Sequence, residues 1–502
     1  MMDTLSLLAH GFSIASTPTN LLFVLIGVFL GQVIGLLPGI GPAAGMALLL
    51  PITFGLEPTS AIIMLAGIMY GGMYGGTLTS VLINVPGEAA SVMTAVDGHQ
   101  LARQGRAGAA LSMAAIGSFL AGIGAVIAVV FLTPALSSMA LSFNAPEYFL
   151  IAAFGIIATA SMGTSSAVKA LLVAVFGLGV ALIGTDPLLG TSRLTFGSMD
   201  LLEGIDFLPV AIGLFGIAEV LVSIESREEM EPMKTRLRDL WVTKAEWLSC
   251  RMAILRGGLI GFATGVMPGA GPTVASLLAY VVEKRWSKHP ERFGRGALDG
   301  LTASESANNS AVHGALVPML ALGIPGSAST AVLLAGLILL GIRPGSMLMN
   351  EQPDLVWGLM ASMFIGNAML LIINLPLAPI FASLLRIRYA YLAPGILVLS
   401  LIGNYGATLS LFTVGTTLVF GMLGYAMIKL DLPRPPLVLA LVLAPLMETS
   451  LRQSLMLSEG SLGIFIERPA SAVLTVAVVG MLLLPVIRAL LARRRRAGIA
   501  RA

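Results

Sequence analysis

Gly35–Gly45 reads "GLLPGIGPAAG" and lies inside one of the most apolar stretches of this 502-residue chain. Proline and glycine should interrupt a helix there, since proline lacks an N–H and glycine leaves the backbone loosely determined. Inside hydrocarbon the freed polar groups have no water to turn to. Irregular backbone survives at that depth only where protein buries it or where it lines a hydrated cavity. The same pattern recurs at Gly265–Ser276, "GVMPGAGPTVAS". Two copies of one helix breaker in apolar surroundings ask for a functional explanation.

Composition establishes those surroundings. Hydrophobic residues make up 56% of the chain and charged ones 11%, with a mean hydropathy of +0.92. A soluble domain carries about 25% charged residues, so this chain cannot cover its surface with charge. Repeated apolar runs long enough to cross ~30 Å of hydrocarbon predict an all-α polytopic membrane protein. The ~10-residue alternating segments of a membrane barrel are missing. Cys250 is the sole cysteine, which excludes an intrachain disulfide framework and a multi-thiolate metal site. The start, "MMDTLSLLAHGFSIASTPTN", has no basic segment before its apolar residues, so no cleaved signal peptide is expected. The basic balance suggests nucleic acid only superficially. The "RRRR" of Arg493–Arg496 follows an apolar span and reads as a topology anchor.

The apolar runs are 18–50, 59–96, 107–140, 147–163, 166–184, 206–224, 252–282, 303–341, 354–385, 389–403, 407–428, 435–449 and 470–490. The longest polar insert, 225–251, divides the chain near its middle. If every run crossed the bilayer, the cationic segments 225–251 and 284–295 would lie on opposite faces, against the cytoplasmic preference of Lys and Arg. The conflict vanishes if 252–282 is a re-entrant hairpin that turns at Pro268–Pro272 and leaves on the side it entered. Treating 18–50 as a hairpin from the opposite face puts the N-terminus outside and the C-terminus in the cytoplasm. Of the 29 Lys and Arg residues, only Arg193, Arg343, Arg452 and Arg468 then face out.

The two hairpin tips, at Pro38 and Pro268, are 230 residues apart. Each is followed by a second break in an apolar run, "VPG" at Pro86-Gly87 and "IPG" at Pro325-Gly326, and these are 239 apart. The chain therefore reads as an inverted-topology repeat. Residues 1–224 form the first copy, with hairpin 18–50, broken helix 59–96 and plain helices 107–224. After the linker 225–251, residues 252–490 form the second, with hairpin 252–282, broken helix 303–341 and helices 354–490. A basic tail, 491–502, follows.

Interrupted helices expose N–H groups at one half-helix start and carbonyls at the other half's end. The former attract anions and the latter cations. The candidate anion contacts are Gly39, Gly41, Asn84, Gly87, Asn308, Asn309, Gly326, Ser327 and Ser329. Candidate cation contacts are Pro38, Gly41, Asn84, Gly269, Gly271, Ser304, Asn308 and Gly323. Any single Ser or Thr there is more simply a back-bond to its own helix, whereas two adjacent amides, Asn308 and Asn309, both need partners away from water. Neutral oxygens beside free carbonyls suit sodium. Glu88 and Glu305 read either as functional intramembrane acids or as residues at the water boundary. His313 is a proton carrier or a tie to a neighbouring helix. "GIMYGGMYGG" (Gly67–Gly76) reads as a small-residue packing face, with Tyr70 and Tyr74 as secondary cargo contacts. "DGHQLARQGRAG" (Asp97–Gly108) reads as a cytoplasmic loop.

Four stretches carry a resemblance: "GLLPGIGPAAGMALLLP", "MYGGTLTSVLINVPGEAASVMTAVDGHQLARQGRAGAAL", "GVMPGAGPTVASLLAY" and "ESANNSAVHGALVPMLALGIPGSASTAVLLAGLILLGIRPG". Over nearly its whole length the chain resembles the large membrane subunit of tripartite tricarboxylate transporters. The resemblance implies an importer of the bacterial inner membrane, driven by an ion gradient. It also implies a small membrane subunit of about four helices, a periplasmic substrate-binding protein and carboxylate cargo such as citrate. No Walker motif is present, in keeping with that. No cofactor is expected beyond sodium as coupling ion, and no nucleic acid; lipid surrounds the chain. By broader analogy the plan is similar to elevator-type carriers, with 18–100 and 252–345 moving against a scaffold, itself dimeric by the same analogy. An intramembrane enzyme would need paired acids, a metal cluster or a Ser–His arrangement, and no such pairing is evident. A channel would conduct without carboxylate.

Overall fold

The computed structural model describes residues 2–37, 41–162, 167–186, 188–225, 240, 242–269, 271–384 and 389–483. It is built almost wholly of helices. In chain order these are α1 (Met2–Ala15), α2 (Pro18–Gly35), α3 (Gly41–Leu49), α4 (Pro58–Ile83), α5 (Val92–Arg103), α6 (Ala107–Ala140), α7 (Ala145–Met162) and α8 (Ala167–Ala181). Two short strands, β1 (Gly184–Thr185) and β2 (Ser192–Arg193), pair antiparallel. Then come α9 (Phe207–Ala211) and α10 (Ala218–Glu225), joined through six residues wound as a π-helix. The second half holds α11 (Lys244–Val266), α12 (Gly271–Trp286), α13 (Leu298–Gly314), α14 (Leu316–Leu322), α15 (Ala328–Leu339) and α16 (Leu348–Glu351). It continues with α17 (Pro353–Leu384), α18 (Tyr389–Thr408), α19 (Leu411–Lys429), α20 (Pro435–Leu457) and α21 (Ile464–Glu467).

Among the described residues, six helices are long and apolar enough to cross a membrane: α2, α4, α6, α17, α19 and α20. The chain is a multi-pass membrane protein. Three elements differ from the sequence reading. The first apolar run is preceded by α1, whose residues pack on α17. The polar insert becomes helical at Lys244, where Thr243 and Glu246 form a reciprocal cap that starts α11. Asp97–Arg103 belongs to α5 rather than a loop, and Asp97 is fully buried. The rest of the insert, 226–239, and the basic tail lie outside the described residues.

The chain forms two compact units. One comprises Met1–Ser138 and Leu208–Ala426. Its centre is α4, which is apolar yet buried on every side, so its surroundings are protein and not lipid. Glycine makes this possible. Gly27, Gly31 and Gly35 of α2 lie against the backbone of Met64, Ile68 and Gly72, where any Cβ would overlap a carbonyl. Gly257, Gly261 and Gly265 of α11 do the same against Ala303, Ala307 and Ala311 of α13. Small residues that let backbones touch are the usual basis of tight helix pairing in lipid. The first trio maps on the second by a shift of 230 (265 − 35), and their partners by 239 (311 − 72). These are the shifts that separate the hairpin tips and the Pro-Gly breaks.

The correspondence extends to backbone conformation. Gly41 and Gly271, 230 apart, have φ of +58° and +63°. Asn84 and Gly323, 239 apart, end α4 and α14 in the left-handed region with φ of 58° and 73°. Glu88 with Ser91 and Ser327 with Thr330 form matching reciprocal caps after each break. The copies also interlock: α3 packs on α15, and α12 packs on the turn 89–91.

The other unit comprises Met139–Phe207 and Met427–Ala502. There α20 packs on α7 and α8. Arg193 and Arg452 both pair with Asp186 and Glu448, at 2.6 to 3.5 Å, and Arg468 pairs with the buried Glu147 at 3.0 Å. Three of the four arginines assigned to the outer face are thus neutralised locally, which weakens their pull on topology. Backbone N–H groups of Leu188 and Leu189, then Arg452, hold the Asp186 carboxyl well below its usual range, at about 2.

Candidate functional site

The first break reaches α13 at Asn308, and the second lies just past the end of that helix, where Gly326 packs against Ala315. This helix has every residue but Asp299 buried, although it reads "LDGLTASESANNSAVHG". Its polarity is satisfied sideways. Glu305 Oε2 accepts from Thr77 Oγ1 of α4 at 2.8 Å, and Oε1 accepts from Thr94 Oγ1 of α5. One turn on, Asn308 Nδ2 donates to Glu88 Oε1, at the first break, at 3.1 Å. The carboxylate–amide pair joins the two halves of the chain directly. Glu305 has no exposed surface, whereas Glu88 is partly open. The side chain of Glu305 therefore sits deep within protein and that of Glu88 at a margin.

Asn309 points elsewhere. Its Nδ2 donates to Ser118 Oγ of α6 at 2.7 Å and to the Glu305 carbonyl at 3.2 Å. Beyond it, His313 Nδ1 lies 2.7 Å from the Asn309 carbonyl, and Asn367 Nδ2 of α17 lies 2.9 Å from Nε2. With the amide donating to Nε2, Nδ1 carries the hydrogen and the imidazole is neutral. Tyr70 of α4 stacks on this ring, centroids 5.7 Å apart. His313 is therefore a tie among α4, α13 and α17. Tyr70 and Tyr74 are buried in the packing of α4 and present no surface to a cargo.

The other sequence candidates distribute unevenly. Gly269 donates its N–H to the Gly326 carbonyl at 3.2 Å, so the second hairpin tip touches the second break. Gly87 packs against the Gly35 carbonyl, as Gly326 does against that of Gly265. Gly41 lies beside Glu88, and Gly271 opens α12. Asn84 is exposed at the end of α4, and Gly323 accepts the same role for α14. Ser327 caps α15 through Thr330, with Ser329 buried in the first turn. Ser304 donates to the Gly300 carbonyl at 2.7 Å, a back-bond within its own helix. Pro38 and Gly39 lie outside the described residues.

Sequence reading missed Thr94, Ser118 and Asn367, each a lone polar residue on a different helix with no local signal. It also missed the role of Asp97. Asp97 Oδ1 accepts the N–H groups of Gly294, Gly296 and Ala297 at 2.8, 2.8 and 2.9 Å, and Oδ2 accepts from Tyr280 at 2.8 Å. A carboxylate on α5 thus satisfies the orphan donors that lead into α13. Among the described residues no cluster of three or more His, Cys, Asp or Glu side chains could hold a metal ion.

A buried seam of oxygens and amides thus runs along α13 and reaches the first break at Glu88. Residues 21–439 match the tripartite tricarboxylate transporter TctA family. The chain belongs to that family. It is 44% identical over 491 residues to an uncharacterized 52.8 kDa protein in the TAR-I ttuC' 3' region of Agrobacterium vitis, covering 97% of this chain and 98% of the relative. It is also 42% identical over 231 residues to an uncharacterized protein of the TAR-II ttuC' 3' region of the same organism, covering 46% of this chain and 94% of that one. No solved structure matches the chain. Family membership makes this the large subunit of a tripartite transporter and a transport protein.

Proposed function

We propose that this TctA-family subunit imports a carboxylate across the bacterial inner membrane by sodium symport, with its C-terminus in the cytoplasm. A small four-helix membrane subunit and a periplasmic substrate-binding protein complete the assembly. The cargo sits at the two breaks, where half-helix N–H groups and Asn308 receive its oxygens, and citrate-like acids are the first class to test. The observation that carries this reading is the meeting of Asn308 from one copy with Glu88 from the other, 3.1 Å apart, at a helix break. The paired shifts of 230 and 239 in the glycine contacts support an inverted repeat. Both hairpin–break pairs fall in one compact unit, which supports their moving together, elevator-fashion, as 18–100 and 252–345. A dimeric scaffold fits the same analogy.

The experiment is uptake into vesicles holding both membrane subunits, with the binding protein added outside. Sodium and pH are varied separately against a panel of mono-, di- and tricarboxylates. Sodium-dependent accumulation of one class supports the reading. Flux without carboxylate favours a channel and ends it. A proton-coupled version draws support from the two acids at the breaks, and accumulation driven by pH alone would select it.

A further inference from the structure

Glu305 poses a problem of charge. Its carboxyl group is fully buried at membrane depth, and among the described residues no cationic side chain pairs with it. Taking a lone carboxylate out of water carries a penalty of several kcal/mol, and such groups in membranes mark ion paths. Both of its oxygens accept from hydroxyls, Thr77 on one side and Thr94 on the other. Ringed by hydroxyls and without a cationic partner, this carboxyl suits a counter-charge that comes and goes.

Two further features point to what supplies that charge. Thr77 Oγ1 also lies 3.4 Å from the Met73 carbonyl of its own helix. Its hydrogen can turn to that carbonyl and release oxygen lone pairs toward Glu305. Asn308, one turn along the same helix, has its Nδ2 on Glu88 while its Oδ1 is buried and accepts no hydrogen bond among the described residues. An unsatisfied buried oxygen is costly, about 1–3 kcal/mol, and asks for a donor or a cation.

We infer that Glu305, Thr77, Thr94 and Asn308 form the binding site of the coupling ion, an all-oxygen cage for one sodium ion. One carboxylate with neutral oxygens matches a monovalent ion. Calcium and magnesium take more oxygen ligands or retained water. Glu88, bound to the same amide, is the nearby second acid. The cage draws on α4 and α5 from the first copy and α13 from the second, so occupancy ties the two copies together beside the proposed cargo position. Sodium and cargo then favour each other's binding reciprocally. The assignment rests on the symport reading in calling the ion a coupling ion. The cage itself does not depend on cargo.

The test uses the purified full-length chain in detergent, without partners or cargo. Thermal melting is followed as sodium chloride replaces choline chloride at fixed ionic strength and pH. A ligand that binds only the folded state raises the midpoint saturably. The expected result is a saturable sodium response in the wild type. Half-saturation shifts at least tenfold upward in Thr94→Val and Glu305→Gln, and stays near wild type in Thr94→Ser. Should Glu305→Gln not fold, the Thr94 pair decides alone. A wild-type melt indifferent to sodium, or one half-saturation shared by wild type and Thr94→Val, overturns the cage. A melt that follows pH but not sodium overturns sodium in favour of the proton. If sodium binds as expected and the reconstituted assembly takes up no carboxylate, the symport reading fails while the cage stands.

Discussion

The first break, at Asn84–Glu88, and the second, at Gly323–Ser327, share a backbone and differ in chemistry. Both preceding helices end in the left-handed region, both following helices are capped reciprocally, and both sit on glycine-paired hairpins. The side chains differ. The first copy places Asn84 and Glu88 where the second has Gly323 and Ser327. The second carries Glu305, Asn308 and Asn309 on α13 where α4, 239 residues earlier, has Ala66, Met69 and Tyr70. The two segments share a backbone plan, and a few side chains set them apart. One copy donates most of the polar groups, while the other encloses them.

That comparison can be broken where it is strictest. Gly31→Leu and Gly261→Leu each drive a side chain into facing backbone and should cost upward of about 3 kcal/mol. Both variants are expected to lose monodisperse protein and melt well below wild type. A tolerated leucine at one site alone would mean that only one hairpin is closely packed. The chemical asymmetry gives the next effect. Glu88→Gln removes the charge but leaves an amide oxygen that can still accept from Asn308 Nδ2, and should lower uptake about tenfold or more with a near-normal melt. At its counterpart, Ser327→Ala loses a helix cap worth about 1 kcal/mol, so its effect is mainly in the melt and its fall in uptake is smaller than that of Glu88→Gln. Equal uptake losses would make the two breaks chemically alike.

Backbone conformation yields smaller differences. Gly323→Ala forces a Cβ into the left-handed region and toward the Pro344 carbonyl, at a cost of about 1–2 kcal/mol. Asn84→Gly should be neutral within a few tenths of a kcal/mol, since asparagine and glycine both accept that conformation. Paired melts of the two variants measure the contrast. The smallest effect concerns the other unit. The Asp186 carboxyl is depressed to about 2, so its contribution is complete above the unfolded value near 4 and is lost as pH falls through about 2. Limited proteolysis between β1 and β2 should be unchanged from pH 5 to 8 and rise only below about pH 3. Cleavage that rises at pH 5 would contradict this ion-pair account.

Much of this was legible in the sequence because breakers announce themselves. Pro38, Pro86, Pro268 and Pro325 mark four interruptions, and the shifts between them reappear in the contacts of Gly35 and Gly265 with Gly87 and Gly326. The amide pair was legible too, although the two asparagines serve different ends: Asn308 faces the break, and Asn309 holds α6. What stayed hidden was long-range pairing. Nothing near Thr94 shows that it meets a residue 211 positions later, and Asp97 looked like loop charge because its partners lie 183 to 200 positions away. Ser304 follows the ordinary rule that a serine in a helix most often serves its own backbone.

The central claim is that the two copies enter the membrane from opposite sides, so that their breaks meet. Ser16 stands just before the first hairpin and Lys288 just after the second, and both are exposed. With the buried Cys250 replaced by alanine, single cysteines at these positions can be labelled in intact cells by a membrane-impermeant maleimide. The account predicts that Ser16→Cys reacts from outside and Lys288→Cys only after the membrane is opened. Labelling of both from the same side would contradict it.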